Sequence, residues 1–186
     1  MEADWEFQIG GDAPAIDAHW PRIVDLRSSP ERAWQLPEAA QFPALAETLA
    51  KLNAPASTVW TSKCDFWPHL EADEFDAEEM DAPPGCAAHA MGCYIDILPR
   101  ENKRWELPEL ASAACKPVCS LLRTVPLRRS RIDLVIRCAV ITPGRTDFGV
   151  TAYLTSCGAT EDDAAVALLA ALAAFAGALC GQSTVE

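Results

Sequence analysis

The stretch RIDLVIRCAVITPGRTDFGVTAYLTSC, residues 131–157, decides the fold. Ile132, Leu134, Ile136, Cys138 and Val140 recur at every second position, with Asp133 and Arg137 between them. Phe148, Val150, Ala152 and Leu154 repeat the pattern against Thr151, Tyr153 and Thr155. A period of two marks a strand with one face in a core. Pro143-Gly144-Arg145-Thr146 separates the two runs and predicts a tight hairpin. Immediately afterwards Thr160 reads as a helix N-cap, and Glu161, Asp162 and Asp163 as an acidic first turn that complements the helix dipole.

Upstream, the same two periods alternate. Residues 42–53 place Phe42, Leu45, Leu49 and Leu52 at helical spacing, stopped by Asn53 and Pro55. Ser57–Phe66 and Gly92–Leu98 read as strands, and Leu107–Thr124 as a helix that Pro117 should kink or split. The first 37 residues read as an irregular arm, with short strands at Trp5–Ile9 and Arg22–Leu26 and a short helix from Ser29-Pro30-Glu31. These elements predict a single α+β domain over 1–186, in the order α-β-β-α-β-β-α after the arm. The sheet expected is antiparallel, of about four to five strands, with helices on one face. Residues 68–90 carry no clear element. Glu71–Asp81 within them holds seven acidic residues in eleven and reads as a solvated acidic loop.

Strand parity distributes the polar residues. Cys64, Cys93, Cys138 and Trp60 fall with the apolar set, so the cysteines read as core. Lys63, Asp65, Tyr94, Asp96, Asp133, Arg137 and Tyr153 fall on the opposite face. If the strands pair, these groups converge on one polar surface. The expected function is a binding or protein-interaction module acting through that face, at Lys63, Asp65, Tyr94, Asp96, Arg137 and Tyr153, toward a small polar ligand or a protein partner. The alternative is a small enzyme with Asp65 or Asp96 as acid/base and Lys63 or Arg137 as electrostatic stabiliser.

Other chemistries find less support. Cys86, His89 and Cys93, with Cys115 and Cys119, supply soft donors, but no C-x2-C pair and no standard zinc spacing, so no metal and no cofactor is expected. Alternation turns Cys64 away from Lys63 and Asp65, which argues against a catalytic thiol. No P-loop, dinucleotide fingerprint or G-x-S-x-G motif occurs. Arg123, Arg128, Arg129 and Arg131 form the main basic cluster and read as partners of the chain's own acidic loop.

The chain has 186 residues, 15 Lys+Arg and 27 Asp+Glu, and a formal net charge of −12. That balance argues against a nucleic-acid backbone or an anionic membrane as partner, since both need a basic footprint. Eight Cys, without a basic and apolar leader at Met1, suggest a reduced, cytoplasmic protein. The apolar run Ala164–Cys180 contains nine Ala, and its larger residues cluster on one side. It therefore reads as a soluble amphipathic helix rather than a membrane span. Its nearly uncharged Ala face, Ala167, Ala170, Ala171, Ala174 and Ala178, is expected to pack against another element or against a second subunit, the latter a homodimer through this C-terminal helix, unless it stays an unusually plain solvent face.

Overall fold

The structure, a computed structural model, describes residues 1–21, 23–100 and 103–181. The strands are β1 (Glu2–Phe7), β2 (Ile16–Asp17), β3 (Val59–Trp67), β4 (His89–Pro99), β5 (Ser130–Thr142) and β6 (Arg145–Gly158). The α-helices are α1 (Pro37–Gln41), α2 (Pro43–Asn53), α3 (Pro108–Thr124) and α4 (Glu161–Cys180), with a 3-10 turn at Pro30–Gln35. Proline opens α1, α2 and α3, where its missing N–H costs nothing. Thr160 caps α4, its hydroxyl accepting the Asp163 N–H at 3.1 Å. Pro117 sits inside a single α3 and does not split it.

The fold is α+β, but the sheet is mixed and the element order departs from the expected one. Strands run in the order β1-β5-β6-β4-β3, with β2 also on β5. The pairs β3/β4, β4/β6 and β5/β6 are antiparallel, whereas β1 and β2 pair parallel to β5. The arm is therefore part of the sheet. Left bare, the outer edge of β5 would expose unpaired backbone groups, and β1 and β2 cover it in turn. The expected strand at Trp5–Ile9 lies at Glu2–Phe7, and residues 23–26 form no strand; Arg22 lies outside the described residues.

One face of the sheet is apolar and carries the helices. Cys93, Ile95, Ile97, Ile132, Leu134, Ile136, Val150, Ala152 and Leu154 form it, and Leu45, Leu49, Leu122, Leu168, Leu172 and Phe175 fill it from α2, α3 and α4. The Ala face of α4 is not its outer face. Ala167, Ala171 and Ala178 are buried, because small side chains let α2 and α3 approach the α4 backbone closely. The exposed stripe is instead Val166, Leu169, Ala173 and Gly177. By length and composition α4 could cross a membrane, yet its large residues Leu168, Leu172 and Phe175 lie wholly in the core.

Between β6 and α4 the chain turns at Gly158. A Cβ there would stand 2.5 Å from both the Ala164 nitrogen and the Asp163 Cβ. Backbone cannot yield as a side-chain tip can, so the substitution must lift the start of α4 off the sheet. Gly158→Ala should cost roughly 1–3 kcal/mol of stability, measured by urea unfolding at unchanged m-value.

Candidate functional site

The face away from the helices is polar, and the register fixes which groups meet. Asp65 pairs with Tyr94, Tyr94 with Tyr153, Tyr153 with Asp133, and Asp133 with Asp4. One transverse row therefore reads Asp65–Tyr94–Tyr153–Asp133–Asp4 across β3, β4, β6, β5 and β1. At roughly 4.8 Å per strand step it spans about 19 Å. The two tyrosine rings lie 6.1 Å apart, and Trp67 extends the aromatic run 5.7 Å beyond Tyr94. Trp67, Tyr94 and Tyr153 are each half-buried, so one side of the run faces solvent.

The next row holds a polar chain. The Arg137 Nη1 donates to Thr151 Oγ1 at 3.2 Å, and the Thr151 hydroxyl donates to Asp96 Oδ1 at 2.7 Å. Arg137 Nη2 also donates to the Tyr153 hydroxyl at 3.1 Å, and Nε and Nη2 share Gln8 Oε1 at 2.9 and 2.6 Å. Its guanidinium lies 5.5 Å from the centre of the Tyr153 ring. Asp96 is only 6% exposed. Burial holds its carboxyl above the usual aspartate range, against the opposing pull of the Thr151 hydrogen bond and the Arg137 and Lys63 charges. Burial, with Asp96 and Asp65 nearby, pushes the Tyr94 phenol up to about 12.

Of the six expected site residues, Asp65, Tyr94, Asp96, Arg137 and Tyr153 share this face. Lys63 lies with Ser62 in a bulge of β3 opposite Asp96, near enough for its charge to pull on that carboxyl, and its Nζ stands 5.1 Å from the Trp20 ring. Thr61 pairs with Ile97 and Cys64 with Ile95, so three steps along β3 match two along β4. The extra residue reverses parity upstream. Trp60 therefore packs with Ile16, Leu98 and Ala139 on the polar side rather than with Phe66, and Thr61 turns into the core. Sequence reasoning missed Gln8, which arrives from 129 residues away and carries no local signal. It also missed the role of Thr151, although that residue sits at a polar-face position. The bulge did leave a trace, since Thr61, Ser62 and Lys63 are three polar residues in succession and break the alternation.

A half-open groove of about 400 Å³ runs beside the row, lined by Asp4, Glu6, Gln8, Asp133, Arg137 and Tyr153 among others. Its acidic wall is partly self-paired. Arg131 binds Asp133 at 2.8 Å and also Glu79, and Arg123 binds Asp4 at 3.3 Å. Glu79 belongs to the acidic loop, whose Asp81 also pairs with Arg128 at 3.3 Å. The loop is not simply solvated, because Met80, 2% exposed, anchors it against Ala90 and Cys157. Burial pushes the Cys64 thiol up to about 12, which leaves it a poor nucleophile. Among the described residues, no group of three or more His, Cys, Asp and Glu is placed to hold a metal ion.

Compared with protein-family models, with curated proteins and with solved structures, the chain matches none. The functional reading therefore rests on this geometry.

Asp96 carries a stability consequence. Its raised value means that the folded chain holds the proton more tightly than the unfolded one. Stability should fall as pH rises from the ordinary aspartate range through the raised folded value. Asp96→Asn keeps an acceptor for Thr151 without the charge. It should therefore be more stable than the parent at pH 7, with the gap closing as pH falls toward about 3, followed by thermal unfolding across that range.

Proposed function

We propose that the protein is an intracellular binding module that takes a basic segment of a partner protein across the open face of its sheet. The observation that supports this reading is the transverse row, in which Tyr94 and Tyr153 are flanked by Asp65 on one side and Asp133 and Asp4 on the other. Aromatic faces beside carboxylates complement Lys and Arg side chains by cation–π contact and ion pairing together. Arg137 over Tyr153 already shows this contact within the chain. An extended face about 19 Å across suits a polypeptide better than a compact small molecule. The enzyme reading has less behind it. Asp96 is capped by Thr151 and nearly sealed, and the groove that reaches Arg137 is lined by neither Asp96 nor Tyr94.

Peptide display on the purified chain tests the proposal. Selected heptapeptides should be enriched in Lys and Arg and should lose at least about tenfold in affinity against Tyr94→Ala or Asp65→Asn. Binders without basic residues, or binding indifferent to both substitutions, would overturn it; saturable binding of small polar compounds alone would favour a small-ligand site.

A second copy of the chain is the proposed partner for α4. The stripe Val166 (64% exposed), Leu169 (52% exposed), Ala173 and Gly177 is free of charge. Lys51 lies at the far end of α4, where its carbonyl accepts from the Cys180 thiol at 3.8 Å. Antiparallel pairing of two α4 helices would bring Lys51 of each copy toward Glu161 and Asp162 of the other. Leu169→Glu should then give a folded monomer by light scattering, whereas a monomeric parent chain at high concentration would exclude the dimer.

A further inference from the structure

The sheet has two outer edges, β1 and β3, and they are finished differently. An edge strand turns every second backbone N–H and C=O away from its neighbour. Along β3, side chains take these groups up. The Val59 N–H donates to Ser57 Oγ, the Thr61 N–H to Asn53 Oδ1 and the Phe66 N–H to Asp65 Oδ1, while the Ser62 carbonyl accepts from the Trp20 indole. On β1 the Gln8 N–H donates to the Ile136 carbonyl, so Ala3, Trp5 and Phe7 turn their backbone groups outward. The first half of that edge is closed. Arg123 Nε donates to the Ala3 carbonyl at 2.8 Å, and Asp4 Oδ1 accepts the Trp5 N–H at 2.8 Å. The second half is open. The Trp5 carbonyl and both backbone groups of Phe7 have no hydrogen-bond partner among the described residues.

The side chains beside this open stretch say what fits it. On the helix-side face Phe7 is 47% exposed and meets the half-buried Trp5 edge-to-face, with ring centroids 5.4 Å apart. On the other face Glu2, Asp4 and Glu6 are all exposed. These carboxylates exclude a second copy of the chain. Antiparallel pairing that sets Trp5 opposite Ala3, Trp5 or Phe7 of the other β1 brings Asp4 onto Asp4, Asp4 onto Glu6, or Glu6 onto Glu6. Like charges directly opposite are destabilising. They favour a strand with cations on that face. The Trp5 side of the edge has the reverse preference, because Lys116 Nζ lies 5.3 Å from that ring. Cations of an incoming strand must therefore fall at alternate positions and not in a run.

We infer that the outer edge of β1 accepts an added strand from a partner protein, an extended segment in which Lys or Arg alternates with apolar residues. Its main chain bonds to the Trp5 carbonyl and to the N–H and C=O of Phe7. Its basic side chains meet Glu6, Asp4 and Glu2, and its apolar ones lie on Phe7 and Trp5. This edge shares Asp4 with the transverse row but uses neither Asp65, Tyr94 nor Tyr153, so the two surfaces are separable by mutation.

The test titrates the peptide Lys-Val-Lys-Val-Lys-Val-Lys into the ¹⁵N-labelled full chain. Saturable shifts should appear at the amides of residues 5–9, and the Phe7 amide should exchange more slowly with deuterated water. The block peptide Lys-Lys-Lys-Lys-Val-Val-Val has the same composition, and an N-methylated form of the alternating peptide has no main-chain donors. Each should bind at least about tenfold more weakly. Phe7→Pro removes an outward N–H, which an edge strand tolerates, and should weaken binding by a similar factor. Tyr94→Ala should leave it unchanged. Equal binding of the block or N-methylated peptide would overturn the inference. So would shifts confined to Tyr94 and Tyr153 with the Phe7 amide unprotected, a result that leaves the transverse-row reading standing. Saturable binding by none of the basic peptides would overturn both.

Discussion

Strand alternation is the constraint on which the rest of this molecule depends. Each residue added to a strand turns the next side chain to the other face. From β4 through β6 and β5 the alternation is unbroken over the residues that matter, and it sends Ile95, Leu134, Ile136, Val150 and Leu154 to the helices. The same parity leaves Tyr94, Asp96, Thr151, Tyr153 and Arg137 on the opposite side, with no helix above them among the described residues. In β3 one extra residue between Thr61 and Cys64 interrupts it. That insertion turns Trp60 outward, where Ile16, Leu98 and Ala139 pack on it and seat the returning arm. Arg27 closes over the same indole at 4.1 Å.

The two faces contribute to stability with opposite sign. Wholly buried Phe175, Leu172 and Leu168 on α4 each contribute roughly 1.5–3 kcal/mol by leaving water. The buried polar bridge between α2 and β3 is complete. Asn53 donates to Leu49 O and Thr61 Oγ1 and accepts the Thr61 N–H, so its burial leaves nothing unmet. Asp96 differs, since its carboxylate is hydrogen-bonded once by a side chain and is still unfavourably buried. A fold selected for stability alone would place a neutral residue there. The charge makes physical sense as the element that fixes Thr151 and, through it, the guanidinium of Arg137 beside Tyr153.

The long regular elements were legible because their periods are local. β5, β6 and α4 can be read from spacing alone, and so can the Thr160 cap. The arm could not be read in the same way. β1 and β2 are strands only because β5, more than a hundred residues away, offers them an edge, and Glu2, Asp4 and Glu6 alternating with Ala3 and Trp5 make sense only against that edge. Most of the polar face was legible from parity, but its closure was not. Gln8 reaches Arg137 by topology, and the bulge at Ser62 and Lys63 exchanges the faces of Trp60 and Thr61. What covers the α4 Ala face was not legible for a different reason. Ala is compatible with both a close helix contact and a plain surface, so helix periodicity could not tell which side α2 and α3 would take.

The acidic loop shows how the charge of the chain is organised. Its exposed ion pairs, Asp81 with Arg128 above all, are worth little in water. What holds the loop in place is Met80, buried against Ala90 and Cys157, together with the Arg129 N–H bonded to the Met80 carbonyl at 2.8 Å. Once anchored, the loop sets Glu79 on Arg131, whose Nε is already bonded to Asp133. Two carboxylates therefore share one guanidinium, which makes the basic cluster a poor site for an outside anion. Arg131 thereby holds Asp133 in the row beside Tyr153 while Glu79 takes up part of its charge. The loop thus shapes the surface without lying on it, by setting which carboxylates the chain's own arginines engage.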